Sequence, residues 1–427
     1  MKRFIVILLS LTLLFTISFP AFATSTEALT PSQKQEIEFQ SNLEYTALLD
    51  SFWADYDGGY PDYYAGAYLN SDGLLVVRVC DLTDTIRLDI QQRTGNPFIL
   101  IEVAETSYNT LLSLKKTVTN YVENNPETPV ASNLLSATVL DNTSTLEIGV
   151  KDSSADSVSE VLSAVFPTTR SSGLVNVISF VEEERNPVDS NANSIDPVAA
   201  IAPTSATTTV YSGDRIDTDS GYMSIGFPCR MKTSSGDYVY GFVTSAHGCV
   251  NNGEISHSGD VIGTVYEWKL DGRIDCAFVE MTNQDYSFPH KIKLYDEDTG
   301  ETSIYPVAIG TNVSVAVGSS VYKDGATTNT TSGTVKSVDA DLYFNDIEKT
   351  ITNMIKTSPM CEGGDSGGLG FMIGTDSSTL KTSAIKFGIV EGNYSILGIT
   401  TSSYFINYRY IYSDMPVYSY QESSAPW

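Results

Sequence analysis

CEGGDSGG, residues 361–368, places Ser366 among glycines and directly after an aspartate. Glycine adopts backbone conformations that other residues avoid, and it lets a second chain approach closely because it has no side chain. The pattern therefore predicts a tight turn that exposes the Ser366 hydroxyl and points the N–H groups of Gly364 and Ser366 at one position. Such paired N–H groups can stabilise an oxyanion. The alternative is a glycine-rich surface turn with an incidental serine, and residues elsewhere in the chain decide between the two.

The order of possible partners along the chain restricts the fold. The chain has three histidines, His247, His257 and His290, and all of them precede Ser366. The stretch also matches the G-x-S-x-G elbow of α/β-hydrolases, but there the acid and the histidine follow the serine. A helix should also follow an elbow serine, whereas GLGFMIG, residues 368–374, predicts a strand. The sequence therefore favours the folds in which the histidine comes before the serine.

His247 has the most suitable surroundings of the three histidines. It ends the apolar, β-branched run YVYGFVTSAHGC, which is typical of a residue leaving a strand into a short loop. Asp275 leads directly into the apolar run CAFVEM, where a carboxylate can be buried against an imidazole. Asp260 and Asp271 lie among glycines and polar residues, which is typical of solvated turns. The predicted constellation is therefore His247, Asp275 and Ser366.

TSAHGC, the strand of Asp275 and CEGGDSGG together resemble the three catalytic motifs of chymotrypsin-fold serine proteases. The secreted bacterial branch of streptogrisins and α-lytic protease is the most similar, because residues 210–231 resemble the start of its mature enzymes. The resemblance implies an all-β, two-barrel Greek-key protease domain preceded by an α+β pro-domain. It also implies a proton-accepting histidine, an orienting aspartate and a nucleophilic serine, with an oxyanion hole formed by Gly364 and Ser366.

The start of the chain and its charge predict where the protein works. Residues 1–23 combine a basic start, an apolar core and the Ala21-Phe22-Ala23 cleavage pattern, which predicts a signal peptide and a secreted, extracellular protein. No later segment predicts a membrane anchor. The formal net charge of −27 argues against nucleic-acid and anionic-membrane partners. We expect a monomer without metal or cofactor that acts on protein or peptide substrates.

The chain divides by composition into three parts after the signal peptide. Residues 24–185 alternate helical and strand patterns, beginning with a helix whose residues Ile37, Leu48 and Trp53 can share one face, and AGAYLNSDGLLVV predicts a hairpin. Residues 186–209 lack periodicity and predict an exposed linker. Residues 210–427 carry short β-rich runs. The resemblance implies that residues 24–185 assist folding and block the site until cleavage between about 195 and 214. The alternative for residues 24–185 is a separate binding domain, and the alternative for the linker is a permanent hinge between domains.

The five cysteines are an odd number for a secreted chain. The resemblance implies a disulfide between Cys229 and Cys249. Cys361 departs from the family, because no cysteine follows it here. Cys276 is expected to be a buried free thiol, and Cys80 belongs to the predicted pro-region. Because no histidine follows Cys361, a catalytic cysteine is not expected.

The substrate pocket is expected to lie between the residues before Ser366 and a later strand. No aspartate occurs in residues 357–361, which disfavours a preference for Arg or Lys, although Glu362 at the rim could attract cations. Residues 389–392 are an alternative for the later strand. The favoured pocket residues are Met360, Glu362, Thr400, Thr401, Ser402 and Ser403.

Three alternatives stay open at this point. A non-catalytic homologue could use the same cleft to bind peptides. An esterase would share the nucleophile but requires a different fold. The acidic run YDEDTGE, residues 295–301, predicts a solvated hairpin turn, and a calcium site is the alternative there.

Overall fold

The computed structural model describes residues 30–167, 174–184, 208–249, 253–295, 299–344, 349–396 and 399–421. The predicted signal peptide and nearly all of the predicted linker lie outside these ranges. Among the helices that are described, none is both long and apolar enough to cross a bilayer.

The N-terminal part mixes helices and strands, as the sequence predicts. Its helices are α1 (Pro31–Asp55), α2 (Asp84–Thr94), α3 (Tyr108–Asn124), α4 (Pro129–Asn133) and α5 (Ala155–Val165), followed by a 3₁₀ turn (Leu174–Val177). Its strands are β1 (Tyr64–Leu69), β2 (Leu75–Val79), β3 (Leu100–Val103), β4 (Leu134–Leu140), β5 (Thr145–Val150) and β6 (Ile178–Glu182).

Local sequence signals set the boundaries of these elements. Thr30 and Gln33 form a capping box at the start of α1, with Pro31 in the first turn. The predicted hairpin is confirmed, since β1 and β2 pair antiparallel across the turn at residues 70–74. Helix α1 buries Leu48 as expected, whereas Ile37 and Trp53 are half-buried, and it also buries the polar Glu38 and Asn42. Glu38 accepts a hydrogen bond from Ser320 N at 3.0 Å, and Asn42 contacts the C-terminal part of the chain as described below.

The first half of the C-terminal part is an eight-stranded sheet wrapped around an apolar core. Its strand order is β24-β10-β11-β14-β13-β12-β8-β9. The strands are β8 (Arg215–Thr218), β9 (Gly221–Ser224), β10 (Pro228–Lys232), β11 (Tyr238–Thr244), β12 (Glu254–His257), β13 (Asp260–Asp271), β14 (Ile274–Met281) and β24 (Val417–Tyr418). Short pairs join β7 (Thr208–Thr209) to β15 (Tyr286–Ser287) and β16 (Lys291–Tyr295) to β17 (Thr302–Pro306).

The second half is a six-stranded barrel. Its strands are β18 (Ser320–Asp324), β19 (Thr331–Phe344), β20 (Lys349–Thr357), β21 (Leu369–Asp376), β22 (Lys381–Ile396) and β23 (Ile399–Asn407), followed by α6 (Tyr408–Asp414). They pair in the order β18-β21-β22-β23-β20-β19, and a further pairing of β18 with β19 closes the ring. The two sheets agree with the expected two-barrel class.

The N-terminal part joins the second barrel through a shared sheet. Strand β4 pairs antiparallel with β19, for example Ala340 with Thr138, so that β4, β5 and β6 extend the sheet of the barrel. On α1, Asn42 Oδ1 accepts hydrogen bonds from Ala316 N at 2.7 Å and from Ser319 Oγ at 3.0 Å. The polar face of α1 is therefore a docking surface for the barrel.

Buried ion pairs cross the same junction. Lys115 on α3 bonds Asp339 and Asp341 on β19, the latter at 2.6 Å. On β20, the Lys356 ammonium lies 3.0 Å from Glu147 and 3.2 Å from Glu183, both of the N-terminal part. Removing one partner of such a pair would leave an uncompensated buried charge, so the junction depends on both members of each pair.

The expected disulfide between Cys229 and Cys249 is not shown by this structure, in which all five cysteines are free thiols. Cys229 and Cys249 are both buried but belong to separate apolar clusters. The thiol of Cys249 donates to the carbonyl of Ser245 at 3.2 Å, which gives the loop a non-covalent contact. Cys276 is buried beside Asp275 as a free thiol, as predicted.

Candidate active site

Asp275 and His247 are in direct contact. Asp275 is the second residue of β14 and is fully buried. One of its carboxylate oxygens accepts from the backbone N–H groups of Ala246 at 2.6 Å and His247 at 2.9 Å. The other bonds Nδ1 of the His247 imidazole. Three donors from one turn thus hold the carboxylate, and the carboxylate in turn fixes the orientation of the imidazole.

Ser366 lies in a turn whose shape requires glycine. Gly364 and Gly367 have φ angles of +90° and +84°, in the left-handed region that favours glycine. A Cβ atom on Gly364 would lie 2.3 Å from the Tyr222 ring, and one on Gly367 would lie 2.1 Å from Thr244 Oγ1. The glycines are therefore required by both backbone conformation and close packing.

The N–H groups of Gly364 and Ser366 donate to no protein acceptor within the described ranges. The Gly363 carbonyl accepts from Thr327 Oγ1 at 2.6 Å, and the Gly364 carbonyl accepts from Ser224 Oγ at 2.9 Å. These contacts hold the peptide groups on either side of Gly364. Two N–H groups in such a turn are available to bind a negatively charged oxygen.

Hydrogen bonds between the two barrels bring the serine turn to the histidine turn. The Ser366 carbonyl accepts from Ser224 N at 2.8 Å, and the Ser224 carbonyl accepts from Thr244 Oγ1 at 2.8 Å. Ser245, two residues before His247, donates its hydroxyl to the Val390 carbonyl at 2.9 Å. The structure therefore positions Ser366 at the boundary between the barrels.

Glu391 is the functional candidate that the sequence analysis did not select individually. Its carbonyl accepts the Ser366 hydroxyl at 3.2 Å. A side-chain oxygen of Glu391 lies within 4.8 Å of ligand atoms of both His247 and Asp275. No sequence motif marks it, because residues 387–393 have the pattern of an ordinary strand. The sequence indicates residues 389–392 only as an alternative pocket wall.

The donor set at this point also has the composition of a metal site, with one imidazole and two carboxylates. However, Asp275 already accepts from two backbone N–H groups and from the imidazole. Both its oxygens are therefore engaged as in a histidine-orienting carboxylate, and the arrangement suits proton transfer better than metal ligation.

A buried lysine pairs with the aspartate that precedes Ser366. Lys323 Nζ lies 2.8 Å from Asp365 Oδ2, and both side chains are fully buried. The other oxygen of Asp365 accepts from the N–H groups of Thr327 and Thr328 at 2.9 and 3.1 Å. The sequence alone did not identify this cation, which lies on β18. The pair holds the turn that presents the nucleophile.

The predicted pocket residues differ in how far they are exposed to solvent. Ser403 is fully buried, and its hydroxyl accepts from the N–H groups of Met360 at 2.9 Å and Cys361 at 3.1 Å. Met360 and Ser402 are buried, Thr400 and Thr401 are half-buried, and Glu362 is exposed. Ser403 therefore supports the segment before Ser366 and is not open to a ligand.

Hydrogen bonds tie Cys361 to the strand opposite it. Its thiol donates to the Gly392 carbonyl at 3.2 Å, and Asn393 Nδ2 donates to the Cys361 carbonyl at 3.0 Å. These contacts link the two segments that flank Ser366 without a disulfide.

The other two histidines have structural surroundings. His257 donates from Nδ1 to the Arg215 carbonyl at 2.7 Å. His290 packs against Tyr420, and burial together with the positive charge of Lys386 lowers its pKa to about 3. The acidic run considered for calcium connects β16 and β17, and its middle, residues 296–298, lies outside the described residues.

Comparisons with known proteins find a similar domain family and a similar protease. The profile of a family described as a Pro-like N-terminal domain matches residues 26–104. Glutamyl endopeptidase 2 of Streptomyces griseus is 35% identical over 134 residues, which are 30% of this chain and 64% of that protein. The chain thus spans less than two thirds of the length of this curated relative.

Two solved structures are each similar to about half of this chain. A glutamic acid specific serine protease, described as using a histidine triad in substrate binding, is 26% identical with a TM-score of 0.39, over 49% of this chain and all of its own. Nocardiopsis protease is 20% identical with a TM-score of 0.40, over 50% of this chain and all of its own. The match to a Pro-like N-terminal domain and the similarity to an endopeptidase confirm the predicted resemblance to a protease with a pro-region, and the two β-sheets of the C-terminal part confirm the predicted fold class.

Proposed function

We propose that this protein is a secreted serine endopeptidase made as a zymogen, with His247, Asp275 and Ser366 as its catalytic residues. The observation that carries the proposal is the buried Asp275–His247 contact, together with a serine at the barrel boundary whose turn leaves two N–H groups available. That combination supports acyl transfer through a serine nucleophile.

The proton moves through His247. The Ser366 hydroxyl turns from the Glu391 carbonyl to the imidazole, gives up its proton and attacks the carbonyl carbon of a peptide bond. His247 then protonates the leaving amine, and an acyl-enzyme remains. Water next attacks the acyl group and gives its proton to His247, which returns a proton to Ser366 as the acid product leaves. Asp275 holds the tautomer and stabilises the imidazolium.

The oxyanion of the tetrahedral intermediate is bound by the N–H groups of Gly364 and Ser366. Loss of one such donor typically costs about 10²–10³ in rate. Because the Lys323–Asp365 pair holds this turn, these two residues position the oxyanion hole without contacting the substrate.

The N-terminal part acts as a pro-region that helps the barrel to fold and blocks the site until it is removed. The shared sheet between β4 and β19 and the ion pairs of Lys115 and Lys356 support the folding role, and the blocking role follows from the family resemblance. We expect the secreted form to begin between about residues 195 and 214. A secreted protein that still begins near Thr24 would instead indicate a permanent hinge.

A fluorophosphonate probe tests the catalytic proposal. We expect it to label the wild-type protein and not Ser366→Ala, and we expect peptide cleavage to be lost in the same variant. Absence of labelling in a folded, processed wild-type protein would contradict the proposal and favour a non-catalytic peptide-binding homologue. Turnover of simple esters without any cleavage of peptides would favour an esterase.

We further propose that the pocket prefers an uncharged side chain before the cleaved bond. Met360, which we expect in the pocket wall, is buried, and the carboxylates of Glu362 and Glu391 would oppose an acidic side chain. Mass spectrometry of a peptide library tests this preference. Dominant cleavage after glutamate, as the name of the Streptomyces griseus relative would suggest, would contradict it.

A further inference from the structure

Glu391 brings a second carboxylate to the His247–Asp275 pair. One ligand atom of each of the three side chains lies within 4.8 Å of the others. Asp275 is fully buried and Glu391 is 6% exposed. Solvent therefore screens their charges weakly, and a carboxylate at this distance interacts strongly with an imidazolium.

The backbone around Glu391 is held on several sides. Strand β22 pairs with β21 at Ile389 and with β23 at Val390. The Val390 carbonyl accepts from both Gly367 N at 2.8 Å and Ser245 Oγ at 2.9 Å. Since the carbonyl of Glu391 also accepts the hydroxyl of the nucleophile, the residue is anchored within the site itself.

The other ionisable groups around this cluster add little net charge near neutral pH. Burial raises the pKa of Tyr404 on β23 well above its ordinary value. Asp365 and Lys323 form an ion pair without net charge. Burial likewise raises the pKa of the nearby thiols of Cys249, Cys276 and Cys361. The two carboxylates of the cluster therefore dominate the field at the imidazole.

We propose that Glu391 is a positioning residue whose carboxylate, together with that of Asp275, holds the His247 imidazole and stabilises the imidazolium formed when Ser366 gives up its proton. This inference rests on the serine endopeptidase function proposed above. A negative charge close to an imidazole favours its protonated form. Glu391 therefore makes His247 a stronger base and places the acid limb of the activity at higher pH.

NMR titration tests the inference without requiring turnover. The chain has three histidines, and the imidazole signals of His247 are those lost in a His247→Gln variant. In Glu391→Gln, which removes the charge and keeps the size, we expect the pKa of His247 to fall by about one unit or more. Glu391→Asp, which keeps the charge, should restore most of the shift.

The pH profile of kcat/KM provides the second measurement. The acid limb of Glu391→Gln should move to lower pH by the same amount as the imidazole pKa. Glu267→Gln is the control, because Glu267 is an exposed carboxylate on β13 and its loss changes the net charge equally. We expect no displacement of the limb in this variant.

The outcomes separate the two proposals. A folded Glu391→Gln protein whose His247 titrates as in the wild type overturns the role of Glu391, whatever the activity. A wild-type protein that cleaves no peptide overturns the endopeptidase function, and the titration still reports the contact. If Glu391→Gln does not fold, a wild-type His247 that titrates at or below the ordinary value of about 6.5 overturns the inference.

Discussion

Replacing Lys115 by methionine should detach the pro-region from the protease barrel. Lys115 Nζ lies 2.6 Å from Asp341 and also bonds Asp339, and the three side chains are 5%, 3% and 11% exposed. Although burial lowers the pKa of Lys115, the two carboxylates raise it by more, so the lysine is charged. Lys115→Met removes that charge and leaves two neighbouring carboxylates in a buried junction.

The magnitude follows from the geometry. At an effective dielectric constant near 20, one charge pair at 2.6 Å gains roughly 6 kcal/mol, and desolvation of the lysine offsets a large part of this gain. Removing one partner of a buried pair typically costs about 3–5 kcal/mol. The equilibrium between docked and detached pro-region should therefore shift by roughly 10²–10⁴-fold.

The assay uses the full chain with Ser366→Ala, so that it stays uncleaved. Urea denaturation measures the free energy of the first unfolding transition, and hydrogen exchange at residues 336–343 reports whether the β4–β19 pairing opens. The control is the charge-free variant Lys115→Met, Asp339→Asn, Asp341→Asn, which should recover at least half of the loss. A loss below about 1 kcal/mol for Lys115→Met, or a charge-free variant as unstable as the single one, would refute the reasoning.

Three further predictions concern the turn and the pro-region. Lys323→Met leaves Asp365 buried without its cation, and kcat/KM should fall by at least about 10²-fold, with Lys323→Arg less affected. Gly364→Ala forces a side chain into the Tyr222 ring at φ +90°, and probe labelling should be lost while the protein still folds. Burial raises the pKa of Asp141 to about 7, so the folded state binds its proton more tightly than the unfolded state. Protonated Asp141 therefore contributes fully to the free energy of unfolding below about pH 4, and this contribution is lost as the pH rises through 7. Asp141→Asn should therefore gain up to about 4 kcal/mol over wild type by pH 8, as measured by denaturation at several pH values.

The sequence was informative wherever chemistry imposes a local pattern. Catalysis by serine needs glycines around the nucleophile and needs particular residues at strand ends, and these features select Ser366, His247 and Asp275 from one sequence. The structure places His247 against Asp275, whose carboxylate accepts from the backbone N–H groups of the adjacent residues Ala246 and His247. The mixed composition of the N-terminal part and the β-rich C-terminal part followed from periodicity in the same way.

The tertiary structure decided which distant groups face one another. Three contacts join residues that lie far apart in the chain. Asp365 pairs with Lys323, the Glu391 carboxylate lies near His247, and Lys115 bonds Asp339. The free thiols of Cys229 and Cys249 belong here as well, because a spacing does not show which core each cysteine enters. Periodicity records that a residue is buried, but a buried charge is stabilised by whichever partner the fold brings to it, and that partner is set by strand pairing across the whole chain.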